Sequence, residues 1–530
     1  MTALHTFQLV LGLMAIALLL PIAVRRLPMP PAAALVVGGM GLALLPAAHS
    51  FEFNPELVMV LFLPPLLLSG AYGTILRDFR AQLRPILLLA VGAVIFTTLL
   101  VGCAAHWVVP TLPWAVCFTL GAVVSPPDAV SARAVLRTLP LARRWVTIIE
   151  GESLMNDAVG LLLYRFAVVA ALTGVFVPRR AILDLLLLAC GGVLLGYVAG
   201  RLTVWLMRLL RAAHEVILLT FLAAWVTYLL SDLLGLSGVL AVVVCGFVIS
   251  ARQHELLSAR TRTAVATVWR FTVTVFETLV FVLIGLSLRG VLARFGGIAS
   301  ALYQVGTVTL VVVLAVIVSR LVWVMGGAKL LRLRPKSSGG PPPSASVRLV
   351  IGWAGMRGVV SLAAALALPH GFPGRDLVLF ATFAVIAVTV LLQGSTLAPL
   401  IRLLARRGGL QPDAPSDDEH TARLRLSQAS LQCLQDLPDA DPERAAHAPL
   451  IEQYRHRLEM ARTAREADEA NAQVRRSRLQ AALAAVAAAR AELLRLHHEG
   501  EVHESVLQKL ELELDLEELR LLQIGGAQAE

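Results

Sequence analysis

The chain has 530 residues, of which 57% are hydrophobic and 15% are charged. Soluble domains carry about 45–50% apolar and about 25% charged residues, so a soluble globular protein is excluded for residues 1–405, where the apolar excess lies, and a polytopic membrane protein is predicted. The formal net charge of +10 comes mainly from arginines near the ends of apolar runs, which is typical of topology signals and anionic lipid headgroups rather than of nucleic-acid binding.

Apolar runs of about 17–30 residues predict the membrane-spanning helices. The first run is followed, not preceded, by its positive charges (Arg25 and Arg26). This order is the reverse of a cleavable signal peptide, so the run is interpreted as a retained first span. About 13 spans are predicted, near residues 5–24, 29–48, 56–74, 84–108, 112–136, 149–175, 181–207, 214–234, 236–252, 266–288, 298–328, 346–369 and 376–404.

The charges of the loops predict the orientation of these spans. Loops with many cations face the cytoplasm, and alternate loops of this chain hold most of the cations. The N-terminus is therefore predicted outside and the C-terminus in the cytoplasm, in the cell inner (plasma) membrane. The cation-rich loops hold Arg25, Arg26, Arg77, Arg80, Arg84, Arg133, Arg137, Arg143, Arg144, Arg208, Arg211, Arg252, Arg260, Arg262, Arg270, Lys329, Arg332, Arg334 and Lys336.

The composition changes near the end of the last span. Residues 1–407 are predicted to be the transmembrane domain, residues 408–420 a linker, and residues 421–530 a cytoplasmic helical domain rich in Arg, Glu, Ala and Leu. Leucines at helical spacing predict about three amphipathic helices there, the last with an apolar row that includes Val506, Leu510 and Leu514. The fold class is thus all-α, with a membrane domain and a helical tail.

An acid lies where a membrane helix should be apolar. Residues 149–163 read IEGESLMNDAVGLLL, and Asp157 is flanked by hydrophobic sequence. A carboxylate at membrane depth costs about 3 kcal/mol on insertion scales and more than about 10 in simulations. Asp157 is therefore predicted to be functional. Glu277 is a second acid in an apolar run, and the sequence leaves open whether it lies at headgroup level or on the transport pathway.

Two spans contain helix-breaking sequence in corresponding halves of the chain. Span five contains Ser125-Pro126-Pro127-Asp128, and span twelve has three glycines around Arg357. Proline removes a backbone donor and clashes with the preceding turn. Paired interrupted helices indicate a secondary transporter with inverted repeats and a binding site at the midplane. Asp128 is interpreted either as a capping acid or as a direct ligand at that site.

The polar side chains of span six have helical spacing. Glu152 and Asn156 are four residues apart, as are Ser153 and Asp157, so each pair shares a ridge. Oxygens of Asp157, Ser153 and Asn156, with carbonyls freed near Ser125, could hold a monovalent cation. An arginine in a membrane needs a counter-ion because it cannot lose its proton. Glu152 is the predicted partner of Arg357, in a structural ion pair.

Three motifs in this order resemble the sodium/proton exchanger family, the electroneutral branch of the monovalent cation:proton antiporters, and in particular its bacterial group with a helical tail. They read GAVVSPPDAV, EGESLMNDAVG and WAGMRGVVSLA, and the tail segment AELLRLHHEGEVHESVLQKLELELDLEE is also similar. The resemblance covers essentially the whole chain. It implies a homodimer of 13-span protomers, each with a dimerisation domain and a moving core domain.

The resemblance also implies roles for individual residues. Asp157 corresponds to the aspartate that binds the cation (Na⁺, K⁺ or Li⁺) or the proton, and Asn156 to the asparagine before it. Ser153 corresponds to a side-chain ligand, and Asp128 to the acid of the unwound span. Glu152 and Arg357 match the buried ion pair of the family. Two positions depart from the family pattern, namely Pro127 where many members have threonine and Ser69 where many have an acid. Because Pro127 has no hydroxyl group, Ser125 or a main-chain carbonyl is expected to take the place of the threonine ligand.

The predicted function is electroneutral exchange of one monovalent cation, Na⁺ first, for one proton by competition at Asp157, with no enzymatic activity and no cofactor. It would serve cytoplasmic pH and sodium homeostasis. Potassium/proton exchange by the same fold is the main alternative. A regulated cation channel is less favoured, because a channel needs a continuous polar lining. An intramembrane hydrolase is also less favoured, because no G-x-S-x-G or H-E-x-x-H motif occurs.

Overall fold

In the computed structural model of the protein, all regular secondary structure of the described residues is helical. The chain divides into two compact units, Met1–Pro412 and Asp413–Glu530. Most of the predicted first span, the second half of span five and most of the predicted linker lie outside the described residues. Those residues are 12, 15, 18, 19, 22, 29–44, 55–128, 141–174, 178–332, 343–408, 410, 417–436, 444–463, 469–499 and 501–524.

The first unit contains the long apolar helices. In chain order, its helices are α1 Pro31–Ala43, α2 Pro55–Gly73, α3 Leu76–Ala81, α4 Leu83–Leu87, α5 Val94–Val108, α6 Trp114–Val124, α7 Arg143–Thr173, α8 Pro178–Met207, α9 Ala213–Leu233, α10 Gly238–Leu256, α11 Ala259–Ala293, α12 Ile298–Arg332, α13 Ala345–Trp353, α14 Val359–Leu366, α15 Arg375–Val388 and α16 Gly394–Arg406.

Within the described residues, eight helices are long and apolar enough to cross a membrane, and three shorter helices are also apolar. The predicted count of about 13 spans stays a prediction. The eight segments are 83–108, 143–173, 183–207, 213–233, 238–256, 259–293, 298–326 and 375–406.

Two of the predicted spans are interrupted, as their sequences indicate. Helix α6 has 11 residues and ends at Val124, and residues 125–128 are not helical. Helices α13 and α14 have nine and eight residues, with residues 354–358 between them outside any helix. At a rise of about 1.5 Å per residue, none of the three can cross a hydrocarbon layer about 30 Å thick. Each is therefore half a span.

Small residues bring some helices into backbone contact. Gly39 of α1 and Gly285 of α11 lie against each other, and a Cβ at Gly285 would meet the main chain of Val36 and Met40. Helices in membranes associate through such small residues because lipid gives little hydrophobic driving force. The pair fixes α1 along α11 on the side of the core that includes Val280 and Ile284.

Two helical turns are wound more widely than an α-helix. Residues Leu88–Ala93 join α4 to α5, and residues Thr389–Gln393 join α15 to α16, both as π-helix. Such turns are common at functional sites, and the second one contacts the broken span, as described below. The sequence analysis predicts neither turn.

The second unit consists of four described helices, one more than predicted: α17 Asp417–Gln435, α18 Arg444–Thr463, α19 Glu469–His498 and α20 Glu504–Ile524. They pair as two hairpins, α17 with α18 and α19 with α20. Val486, Leu493 and Leu507 are buried. The predicted apolar row of the last helix is wrong, because Val506 and Leu510 are exposed. Leucine recurs at nearly every second position of α20, so its spacing does not select one face.

Candidate ion-binding site

The two unwound segments cross each other. The backbone N–H of Asp128, at the end of the first break, donates to the carbonyl of Met356 in the second break at 2.7 Å. Each break exposes main-chain groups that no helix satisfies, and such groups are tolerated at membrane depth only where they are buried in protein or line a cavity. Here the N–H of Asp128 in one segment satisfies the carbonyl of Met356 in the other. The crossing thus places Ser125, Asp128 and Arg357 in one region.

Arg357 donates hydrogen bonds to carbonyl groups that the two helix breaks leave without a helical partner, including the one at the C-terminal end of α6. Its Nε donates to the carbonyl of Val124, the last residue of α6, at 2.7 Å, and Nη1 donates to the carbonyl of Gly355 at 2.9 Å. Its backbone N–H donates to Oγ1 of Thr389 in the second π-turn at 3.1 Å. A cation at a helix C-terminus is stabilised by the partial negative charge there. Arg357 is buried, and its Nε and Nη1 groups both donate to main-chain oxygens.

The predicted ion pair between Glu152 and Arg357 is therefore wrong. Glu152 instead binds Arg320 of α12 through both oxygens, with N–O distances of 2.6 and 2.9 Å. Arg320 also donates to the carbonyl of Ile351, the third residue from the end of α13. Both side chains of the pair are buried. The planar guanidinium of Arg320 binds both oxygens of Glu152 and neutralises its charge, so Glu152 is not free to bind a transported ion.

The sequence analysis missed Arg320, although a signal was present. Arg320 is a single charge in the long apolar run of span eleven, IASALYQVGTVTLVVVLAVIVSRLVWV. An ionisable residue inside a span faces the protein interior and pairs with another charge, and the same rule had identified Asp157. The choice between two buried arginines as the partner of Glu152 depends on helix packing, which spacing along one helix does not fix.

Asp128 lies against the beginning of the second half-helix. Its carboxylate contacts Gly358, the residue before the first turn of α14, and a methyl group at Gly358 would clash with it. An acid is stabilised at a helix N-terminus by the partial positive charge there. Each break thus supplies a charged side chain to the half-helix of the other, since Arg357 lies at the end of α6 and Asp128 at the start of α14. This position fits both a capping and a ligand role for Asp128.

Helix α7 carries the polar residues of span six past this crossing. Asn156 is fully buried, and its Nδ2 donates to the carbonyl of Pro127 at 2.6 Å. This bond fixes the first break to α7. Oδ1 of Asn156 is buried and accepts no hydrogen bond within the described part of the chain. It is therefore an oxygen available to a cation. Gly160, one turn further along α7, contacts the ring of Pro126.

Asp157 differs from Glu152 in having no cationic partner among the residues that the structure describes. Its side chain is 9% exposed, and no Lys, Arg or His of the described residues forms an ion pair with it. Asp128 lies close enough for the two carboxylates to repel each other. A buried, unmatched carboxylate is costly unless it is neutralised. Two partners that neutralise it are a bound monovalent cation and a proton.

The remaining predicted ligands are hydroxyl groups. Ser125 is buried, and its Oγ donates to the carbonyl of Ala122 at 3.1 Å, which leaves the lone pairs of Oγ to accept or ligate. Ser153 is half-buried on α7, one turn before Asp157. The structure brings α7 and the first break together through the bond between Asn156 and Pro127. Glu277 is half-buried on α11.

In this site two interrupted helices cross, and each places a charged side chain at the end of the other. A buried carboxylate without a described cationic partner lies beside the crossing. This arrangement is typical of one class of membrane protein, the secondary ion transporters with discontinuous helices. The family model described as "Sodium/hydrogen exchanger, transmembrane" matches residues 14–403. The chain belongs to this sodium/hydrogen exchanger family.

Individual relatives are similar over long stretches. A Bacillus pumilus protein named sodium, potassium, lithium and rubidium/H⁺ antiporter is 32% identical over 468 residues, covering 85% of this chain and 69% of the relative. The Na⁺/H⁺ antiporter NhaP of Pseudomonas aeruginosa is 32% identical over 361 residues, covering 66% of this chain and 81% of the relative. The solved structure of the sodium proton antiporter MjNhaP1 of Methanocaldococcus jannaschii is similar in fold. Its TM-score is 0.61 at 19% identity, covering 76% of this chain and 99% of that chain.

Proposed function

We propose that the protein exchanges one monovalent cation, Na⁺, for one proton, and that both ions compete for the carboxylate of Asp157. The observation that carries this proposal is the contrast between two acids on one helix. Glu152 is neutralised by Arg320 at 2.6 Å, whereas Asp157 has no described cationic partner and is nearly buried. A site of this kind must take up a positive charge, and a cation and a proton each supply one.

Competition at one carboxylate is sufficient for coupling. Metal ions bind deprotonated ligands, so binding of the cation releases the proton. With either ion bound, the Asp157 carboxylate is neutralised and the core can move. The unloaded carboxylate resists transfer through a low-dielectric region, which prevents uncoupled leakage. Each cycle then carries one positive charge in each direction, so exchange is electroneutral.

The ligands of the cation in this proposal are oxygens around Asp157. Oδ1 of Asn156 is buried without a partner in the described part of the chain, Ser125 keeps lone pairs on Oγ, and Ser153 precedes Asp157 by one turn. Asp128 contributes its negative charge from the first break. The names of the relatives favour Na⁺ as the transported cation, and the name of the Bacillus pumilus relative also mentions potassium. K⁺/H⁺ exchange is therefore the second candidate.

The domain arrangement in this proposal follows the family resemblance and the loop charges. Residues 1–407 transport the ions, and residues 421–530 form the cytoplasmic tail, with the N-terminus outside and the C-terminus inside the cell membrane. The protein acts as a homodimer surrounded by membrane lipids. Cross-linking and light scattering of the detergent-solubilised chain measure the dimer, and protease accessibility of the tail in inverted vesicles measures the orientation.

The proposed exchange is tested with the full-length protein in liposomes that contain a pH dye. Na⁺, Li⁺ and K⁺ are added separately, with the membrane potential clamped at zero by valinomycin and equal K⁺ in the Na⁺ and Li⁺ runs. The K⁺ run uses choline-balanced liposomes without valinomycin. We expect Na⁺ to drive proton movement in the native protein and in Asp232→Asn. Asp232 is an exposed acid with an exposed partner, Arg165, and such pairs contribute little.

The variant Asp157→Asn should move no protons with any cation. Proton movement driven by K⁺ but not by Na⁺ would replace the proposed ion while keeping the exchange. Equal proton movement in Asp157→Asn and the native protein would contradict the proposed role of Asp157.

A further inference from the structure

A cleft lies beside the Glu152–Arg320 ion pair on the side where α7 and α13 begin. Its volume is about 60 Å³, and its walls are almost entirely apolar. They come from five segments of the first unit, namely α4, the first π-turn and helices α7, α12 and α13, together with Pro343 just before α13. The lining includes Leu88, Leu89, Trp145, Ile148, Trp323 and Ile351.

One polar group faces this apolar space. Arg348, in the first turn of α13, lines the cleft. Its Nε is buried and has no hydrogen-bond partner within the described residues. A buried donor without an acceptor is costly, and the cost is greater for a charged group. Arg348 as a whole is half-buried, and an anionic oxygen in the cleft would compensate the charge of its incompletely hydrogen-bonded guanidinium.

Further cations flank the same end of the cleft. Arg84 directly precedes Pro85, which lines the cleft, and Arg84 is exposed. The guanidinium of Arg144 lies over the ring of Trp145, 4.1 Å from its centroid. Trp323 donates its indole N–H to the carbonyl of Leu88 at 3.2 Å. Tryptophan and arginine together at the ends of spans mark the level of the lipid headgroups.

We propose that this cleft binds one anionic phospholipid, with an acyl chain against the tryptophan-lined walls and the phosphate on the guanidinium of Arg348. A guanidinium matches a phosphate in geometry and binds it through two N–H groups. A free anion would leave the apolar walls empty, and a zwitterionic lipid would bring a second cation to a rim that already has Arg84 and Arg144. Basic pockets between membrane helices are suited to anionic headgroups.

The position of the lipid connects it to the ion pair. Trp323 and Arg320 are three residues apart on α12, and Ile148 and Glu152 are four residues apart on α7, so each lining residue is about one turn from the pair. Ile351 lines the cleft, and its carbonyl accepts from Arg320. A bound lipid therefore contacts the three helices that the ion pair joins. This inference requires only the membrane location and does not depend on the proposed exchange at Asp157.

The proposal is tested on the full-length protein in nanodiscs. A phosphatidylglycerol with a photoreactive acyl chain is cross-linked, and the labelled peptides are identified by mass spectrometry. A phosphatidylcholine with the same chain is the lipid control. We expect the anionic probe to label residues of α7, α12 and α13 that line the cleft, and unlabelled phosphatidylglycerol to compete better than phosphatidylcholine. Equal labelling by both probes, or labelling only at other helices, would overturn the proposal without requiring any variant.

Two matched variants then test the headgroup contact. Arg348→Gln removes the guanidinium from the cleft, and Arg208→Gln removes an exposed arginine of another loop. Each basic residue near an anionic surface contributes about 1 kcal/mol, which corresponds to roughly fivefold in affinity. Labelling of the cleft should fall by about this factor in Arg348→Gln and should not change in Arg208→Gln. Unchanged labelling in Arg348→Gln would exclude Arg348 as the headgroup contact.

Discussion

Nε of Arg357 donates to the carbonyl of Val124 at 2.7 Å, and this bond joins the break of one membrane helix to the carbonyl end of the other. The positive charge that stabilises the C-terminal end of the first half-helix thus belongs to Arg357 of the second broken span. Asp128 has the reciprocal position at the start of α14. The two breaks stabilise each other, and substitutions in either one should affect both.

Arg357 can be tested by removing its guanidinium. Arg357→Met leaves the carbonyls of Val124 and Gly355 without their donor, and an unsatisfied buried acceptor costs about 1–3 kcal/mol. We expect a lower unfolding temperature and loss of most cation-driven proton movement. Arg402→Met, a substitution of an exposed arginine on α16, is the control for the lost charge. A native-like unfolding temperature in Arg357→Met would contradict the capping role.

The Glu152–Arg320 pair can be measured by a double-mutant cycle. Removing one partner of a buried pair leaves an unmatched charge and costs about 3–5 kcal/mol. Glu152→Gln and Arg320→Gln should each lower the free energy of unfolding strongly, and the double variant should be more stable than the sum of the two losses predicts. The measurement is denaturant unfolding of all four proteins in the same detergent. Additive effects would show that the two side chains do not interact.

Gly358 is predicted to tolerate no side chain. In Gly358→Ala the new methyl group meets the carboxylate of Asp128, so either the acid or the start of α14 must move. Overpacking of a well-packed site costs about 1–3 kcal/mol. Because about 1.4 kcal/mol added to the barrier of the transport cycle slows it tenfold, we expect the transport rate to fall by about tenfold or more. Gly371→Ala is the matched control, because no atom lies within 4 Å of a Cβ placed there. Equal transport by both variants would argue against the close packing of the crossing.

Several of these features follow from the sequence, and others do not. Pro126-Pro127 and the glycines around Arg357 predict both breaks, because their effect on a helix is local. The partner of Glu152 was predicted wrongly, because Arg320 and Arg357 both lie in apolar runs and only the three-dimensional arrangement of the helices selects between them. The π-turn at Thr389–Gln393 is not predicted either, because its sequence TVLLQ has no proline or glycine to mark it.

Competition between the two ions predicts a specific dependence on pH. If a proton and Na⁺ exclude each other at one carboxylate, acidification must raise the apparent KM for Na⁺ by up to about tenfold per pH unit. The maximal rate at saturating Na⁺ should change much less. Initial rates of ²²Na⁺ uptake into proteoliposomes, measured over a range of Na⁺ concentrations at several pH values, give both quantities. A falling maximal rate with constant KM would indicate that protons act at a separate site.

The most direct test counts the protons that Na⁺ displaces. The purified, detergent-solubilised protein is placed in weakly buffered solution with a pH dye at a pH where the unloaded site is protonated, and NaCl is compared with choline chloride. We predict release of close to one proton per bound Na⁺ in the native protein and in Asp232→Asn, and none in Asp157→Asn, because the cation takes the place of the proton on that carboxylate. Binding of Na⁺ without proton release, or the same release from Asp157→Asn, would contradict competition at Asp157.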